Sequence, residues 1–167
     1  MKPGGESNGR RSPAPSCAGR RFAIVAARFY HELTDWLIDG AMRALADCGV
    51  SRDDIDLVEV PGCFELPLAC RRLIEAERYD GMVALGVVIR GDTPHFDFVA
   101  GECARGIMDV QLGTAVPIGF GVLTTENLAQ AQERADPARG DKGYEAAVAA
   151  ATLVNIPNKL PRAGFRS

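Results

Sequence analysis

Apolar residues follow two rhythms along this chain. Residues 22–27 (FAIVAA) and 81–89 (GMVALGVVI) are unbroken apolar runs, the mark of strands buried on both faces. Residues 55–60 (IDLVEV) alternate and are rich in β-branched side chains, so they predict a further strand, closed by Pro61-Gly62. Residues 115–123 (AVPIGFGVL) predict the last strand. The intervening stretches have helical spacing. In 32–47, Leu33, Trp36, Leu37, Ala41, Ala44 and Leu45 fall on one face, and Gly49 follows as a stop. Pro67 is tolerated only near a helix start, so the next helix begins near 64–66 and runs to about Glu77. A helix over 94–112 opens with Pro94 in its first turn. A short helix over about 126–134 and an alanine-rich one over about 142–154 complete the pattern.

The order is βαβαβαβα with one extra helix. Buried strands joined by helices imply a parallel sheet, and right-handed crossovers then place helices on both faces. The expected fold is a three-layer α/β/α sandwich around a four-stranded parallel sheet, with ligands bound outside the carboxyl ends of the strands.

Composition narrows the picture in three ways. With 167 residues and 47% apolar content, the chain fits one domain with a real core. A net charge of −3 lacks the basic footprint of a nucleic-acid binder, and no apolar run approaches a membrane span. The five cysteines are odd in number and form no CxxC pair. They predict neither a disulfide framework nor a zinc site, but small buried thiols in a reducing cytoplasm. Residues 1–20, rich in Gly, Pro, Ser and Arg, lack the apolar segment of a secretory signal and read as a disordered tail. The domain is expected over 21–156, with a second tail at 157–167.

The turns after the strands hold the candidate chemistry. Phe29 and Phe64 could stack a flat ring, and Glu65 could accept hydrogen bonds from it. Gly91-Asp92-Thr93 leads into a helix start, where backbone N–H groups and the helix dipole suit an anion. Simple capping by Thr93 explains the same residues equally well. His95 falls in the first helical turn as a proton acceptor, or as an exposed histidine with no role. His95 and Asp97, two apart on a helix, do not face each other and make no catalytic pair. Arg134, Arg139 and Lys142 could meet a phosphate, though basic loop residues are usually only solvated. Asp141 can cap the last helix, and His31 reads as an exposed helix start without a role.

Taken together, "ARFY", "PGCFELP", "LGVVIRGDTPHFDFV", "GVLTTEN" and "RADPARGDKG" resemble the lumazine synthase family over about residues 21–156. The histidine-bearing stretch followed by "GVLTTEN" is highly specific. The resemblance implies a flavodoxin-like fold and a cofactor-independent condensation. In it, 5-amino-6-(D-ribitylamino)uracil joins 3,4-dihydroxy-2-butanone 4-phosphate in riboflavin biosynthesis. It implies that Phe29 stacks on the pyrimidine and that Cys63, Phe64 and Glu65 hold the ring and ribityl chain. Val87, Val88 and Ile89 line the same pocket. Asp92 and Thr93 approach the phosphate, and His95 shuttles protons. Phe120 and Arg134 come from a neighbouring subunit, Arg134 to bind phosphate, with Lys142 assisting. No metal is implied. The implied assembly is a homopentamer. The length of the 134–143 loop inclines toward a sixty-subunit shell, with an association with riboflavin synthase. Cys63 stands where the family commonly has alanine, Val87 where threonine is frequent, and Asp141 where asparagine is commoner. Two other readings share the fold: a lumazine- or flavin-holding paralogue without turnover, and a flavodoxin-like electron carrier.

Overall fold

The computed structural model describes residues 14–157. Four parallel strands form one sheet in the order β2-β1-β3-β4. They are β1 (Phe22–Ala27), β2 (Ile55–Val60), β3 (Gly81–Ile89) and β4 (Ile118–Thr125). The helices are α1 (His31–Asp47), α2 (Leu66–Ala76), α3 (His95–Thr114), α4 (Leu128–Ala135) and α5 (Lys142–Val154). Short 3-10 turns occupy Arg52–Asp54 and Cys63–Glu65.

The sheet divides the core by strand alternation. Phe22, Ile24 and Ala26 of β1 join Val83, Leu85 and Val87 of β3 against α1 and α5. Ala23, Val25 and Ala27, with Met82 and Ala84, face the opposite way against α2 and α3. An unbroken apolar run is what burial on both faces demands, and every residue of β1 is buried.

Three strand boundaries and the last helix match the sequence reading, and Gly49 takes the expected left-handed conformation (φ +84°) behind α1. The start of β4 differs. It was expected at Ala115, but Ala115 is the left-handed exit of α3 (φ 58°), its N–H donating to Gln111 O at 2.9 Å. Thr114 Oγ1 accepts from Val116 N–H at 3.3 Å, and Gln111 Oε1 accepts from Ile118 N–H at 2.7 Å. Side chains of α3 thus take the N–H groups of Val116 and Ile118, and the register with β3 begins at Ile118, whose predecessor Pro117 accepts from Met82 N–H at 2.8 Å.

The boundary expected at residue 21 also moves. Cys17 is buried in the α1–α5 core layer, and its N–H donates to Cys48 O at 2.7 Å. Order therefore reaches into the stretch read as a tail, while 1–13 and 158–167 lie outside the described residues. All five cysteines are buried and unbridged. Among the described residues no helix is long and apolar enough to cross a membrane.

Asp141 does more than start α5. It adopts a left-handed backbone (φ 48°) and makes no side-chain cap. Its carboxylate instead receives both terminal nitrogens of Arg43 on α1, at 2.8 and 3.2 Å. Beside it, the backbones of α1 and α5 touch: a Cβ on Gly143 would lie 2.1 Å from Leu37 O. Gly143→Ala must push two helices apart, and a loss of about 3 kcal/mol is expected. Gly113→Ala, where an added Cβ meets nothing, should change stability by no more than about 1 kcal/mol, and in the stabilising direction. Urea midpoints followed by circular dichroism test the contrast.

Candidate active site

In the sheet order, β1 has β2 on one side and β3 on the other, so the connections leaving β1 and β2 run to opposite sides. Such a reversal opens a crevice at the carboxyl ends. A cavity of about 550 Å³ lies there. The turns after β1 and β2, the end of β3 and the first turns of α3 all line it.

The turn after β1 is held from both sides. Arg28 N–H donates to Val60 O at 2.9 Å, and the buried Thr34 hydroxyl donates to Ala27 O at 2.8 Å. The Arg28 side chain bridges Glu59 on β2 (Nε to Oε1, 2.7 Å) and Asp35 on α1. This leaves Phe29 at the cavity rim, 73% exposed, edge-on to Tyr30 with ring centroids 5.0 Å apart. Phe64, 62% exposed, stands on the turn after β2. Large aromatic rings in water beside an apolar cavity are suited to a flat partner.

Val87, Val88 and Ile89 form the lining from β3, joined by Gly91 and Thr93. Pro94, not Thr93, occupies the cap position of α3. The Thr93 hydroxyl, one residue earlier, accepts from His95 N–H at 3.4 Å. His95 is the first residue of α3, is exposed, and lines the cavity. The helix start expected after Gly91-Asp92-Thr93 is therefore present, one residue later.

Cys63 lines the cavity but is buried at 4% exposure. Burial pushes its thiol up to about 12, with Cys103 adding to the shift and a backbone hydrogen bond at Val87 opposing it. At neutral pH it is a protonated wall atom, not a nucleophile.

Phe29, Cys63, Phe64, Glu65, Val87, Val88, Ile89, Thr93 and His95 thus converge on one cavity. Asp92 is exposed on the same turn but outside the lining. Phe120, Arg134 and Lys142 are not part of it. Phe120 sits 44% exposed on edge strand β4. Arg134 is exposed in the last turn of α4. Lys142 pairs with Glu145 at 2.7 Å, and Arg139 with Asp136 at 3.1 Å. His31 is the exposed first residue of α1. Tyr30, Gly62, Phe96, Phe98 and Val99 complete the lining and were not singled out. Two of them were legible in principle: Phe98 and Val99 stand three and four positions after His95, on the same helix face. Among the described residues no three His, Cys, Asp or Glu side chains cluster closely enough to hold a metal ion.

The profile of the 6,7-dimethyl-8-ribityllumazine synthase family matches residues 19–158. The chain belongs to that family. A 6,7-dimethyl-8-ribityllumazine synthase of Gemmatimonas aurantiaca is 50% identical over 145 residues, covering 87% of this chain and 88% of the relative. One of Nitratidesulfovibrio vulgaris is 47% identical over 142 residues, covering 85% and 91%. Membership makes the chain a lumazine synthase, a transferase-type enzyme of riboflavin biosynthesis with an α/β, flavodoxin-like fold. Neither relative carries the name of a flavin-holding or electron-carrying protein.

Because the Cys63 thiol is buried and stays protonated, Cys63→Ala should keep turnover within about twofold. The wild-type thiol, with a thiolate fraction of about one in ten thousand at pH 8, should react with iodoacetamide only on unfolding. Mass spectrometry of alkylated native protein reads the second outcome.

Proposed function

We propose that this cavity condenses 5-amino-6-(D-ribitylamino)uracil with 3,4-dihydroxy-2-butanone 4-phosphate. The observation that carries the reading is the convergence of exposed aromatics, the apolar carboxyl end of β3 and a histidine at a helix start on one crevice. In this reading the pyrimidine lies on Phe29. The backbone of Cys63 and Phe64, with Glu65, holds the ring and its ribityl chain, and Val87–Ile89 supply the apolar wall. The phosphate of the second substrate docks by Asp92 and Thr93 at the start of α3, where main-chain N–H groups favour an anion.

The amine then attacks the ketone and loses water to give an imine. Phosphate leaves, the ring closes and a second water departs. His95 carries protons in these steps, and the scheme uses no cofactor. Most of the acceleration comes from holding two reactants in register, with a smaller share from proton transfer.

Phe120 and Arg134 lie away from the chain's own cavity, so their use here requires a second copy. A homopentamer with sites between subunits supplies it: Arg134 of one subunit forks onto the phosphate held by the next, with Lys142 assisting. The exposed apolar residues Phe98, Met108 and Leu112 of α3 and Phe120 of β4 suit such a contact. Closure of pentamers into a sixty-subunit shell, and an association with riboflavin synthase, extend the same reading. Buried, unbridged thiols suit a reducing cytoplasm.

Steady-state assays with both substrates, followed by lumazine fluorescence, test this. Arg134→Ala should raise KM for the butanone phosphate about ten- to a hundredfold, the loss of a charge-assisted contact. His95→Ala should slow turnover about a hundredfold without abolishing it. Wild-type turnover in His95→Ala, or a wild-type KM for the butanone phosphate in Arg134→Ala, removes that residue's role. Sedimentation should give a mass five or sixty times the 17.8 kDa of one chain. A monomer with full activity would exclude sites shared between subunits.

A further inference from the structure

We propose that Arg90 is a positioning residue for His95; the inference rests on the proton-shuttle reading above. Arg90 directly follows β3, and its N–H donates to Thr125 O at 2.9 Å, so its backbone is tied to the end of β4. Its side chain then joins two elements. Nε donates to Glu126 Oε2, in the turn after β4, at 2.8 Å. Nη1 reaches Asp97 Oδ1, in the first turn of α3, at 3.3 Å. The guanidinium carbon also stands 4.4 Å from the centroid of the Phe96 ring.

Glu126 is itself held. Its N–H donates to Gln130 Oε1 at 2.9 Å, while Gln130 N–H donates to Asn127 Oδ1 at 2.9 Å, so the cap Asn127 is engaged and the return bond reaches the residue before it. The carboxylate that grips Arg90 is therefore mounted on a fixed helix start. Phe96 and Asp97 are the residues immediately after His95. No hydrogen bond among the described residues fixes the imidazole, so its direction follows from the turn that carries it. Arg90 is what fastens that turn to the strand ends.

A single exposed ion pair would do little. Here one planar cation meets two carboxylates and a ring face, a geometry that a lysine cannot reproduce. The stability at stake is small, but the placement at stake is not: a shift of about 1 Å in a reacting group can cost a hundredfold in rate. With Nε and Nη1 already engaged, Arg90 acts on the imidazole rather than on the substrate phosphate.

The test is steady-state kinetics on the full-length assembly, with circular dichroism and sedimentation confirming unchanged fold and size. Arg90→Ala should lower kcat about tenfold or more while KM for the butanone phosphate stays within about threefold. Glu126→Gln should give part of the same loss, and Arg90→Lys should recover part of it. In a His95→Ala background, Arg90→Ala should cost less than about twofold, because the group it positions is gone. An undiminished loss in that background would overturn the proposal, as would a raised KM with kcat unchanged, which would make Arg90 a phosphate ligand. If His95→Ala alone turned over at the wild-type rate, the proton-shuttle reading would fall, and this proposal with it. A slow His95→Ala with an additive Arg90→Ala removes this proposal alone.

Discussion

Everything at the site hangs from the burial of β3 on both faces and both edges. Its backbone is hydrogen-bonded to β1 along one side and to β4 along the other. Any slip of this strand would break two ladders at once and turn its apolar side chains to the wrong layers. Pairing with β1 runs from Gly81 to Leu85 and the ladder with β4 continues alone to Ile89, so the strand enters the site from a doubly paired stretch, and the cavity is built outward from its carboxyl end. Val87, Val88 and Ile89 are the wall itself. Gly91, Thr93 and His95 are the next few links of the same chain.

The other walls reach the site by different means. The Phe29 turn is fastened by backbone and buried hydroxyl, and the Phe64 turn by the break at Pro61-Gly62 and the 3-10 turn behind it. The polar contribution is sparse: Glu65, Thr93 and His95 among mostly apolar and aromatic neighbours. That balance is common in sites that hold flat ligands, where apolar area sets affinity and a few polar atoms set orientation.

How far the sequence reveals this depends on the range of the interaction that decides each feature. β1, β2 and β3 were legible to the residue because a local pattern, an apolar run in β1 and β3 and an alternation in β2, determines them. The start of β4 was not. Ala115-Val116-Pro117 looks like strand, and only the reach of the Gln111 side chain back to Ile118 shows otherwise. Cys17 was read as tail because its neighbours are polar, yet its own backbone finds Cys48, far along the chain. Nine of the residues named for the site converge in one cavity because they sit on turns at strand ends. Phe120 came from a family pattern alone, and Arg134 and Lys142 from their charge and that pattern; no short-range signal within one chain brings any of the three to the cavity. Arg90 was visible in its turn, but its grip on Glu126 needs the folded β4–α4 corner.

The contact between α1 and α5 has a thermodynamic character of its own. Where Leu37 meets Gly143, backbone lies on backbone with no side chain between, and where Gly40 meets the main chain of Tyr144 only the Asp141 carboxylate stands beside it. Such a joint has no rotamers to freeze, so it forms without the side-chain entropy loss that accompanies ordinary packing. It also has no soft coordinate through which to adjust. Two helices seated this way move as one lever, and slack in that layer must come from elsewhere, from side-chain contacts such as those of Met42 and Val148 against the same core.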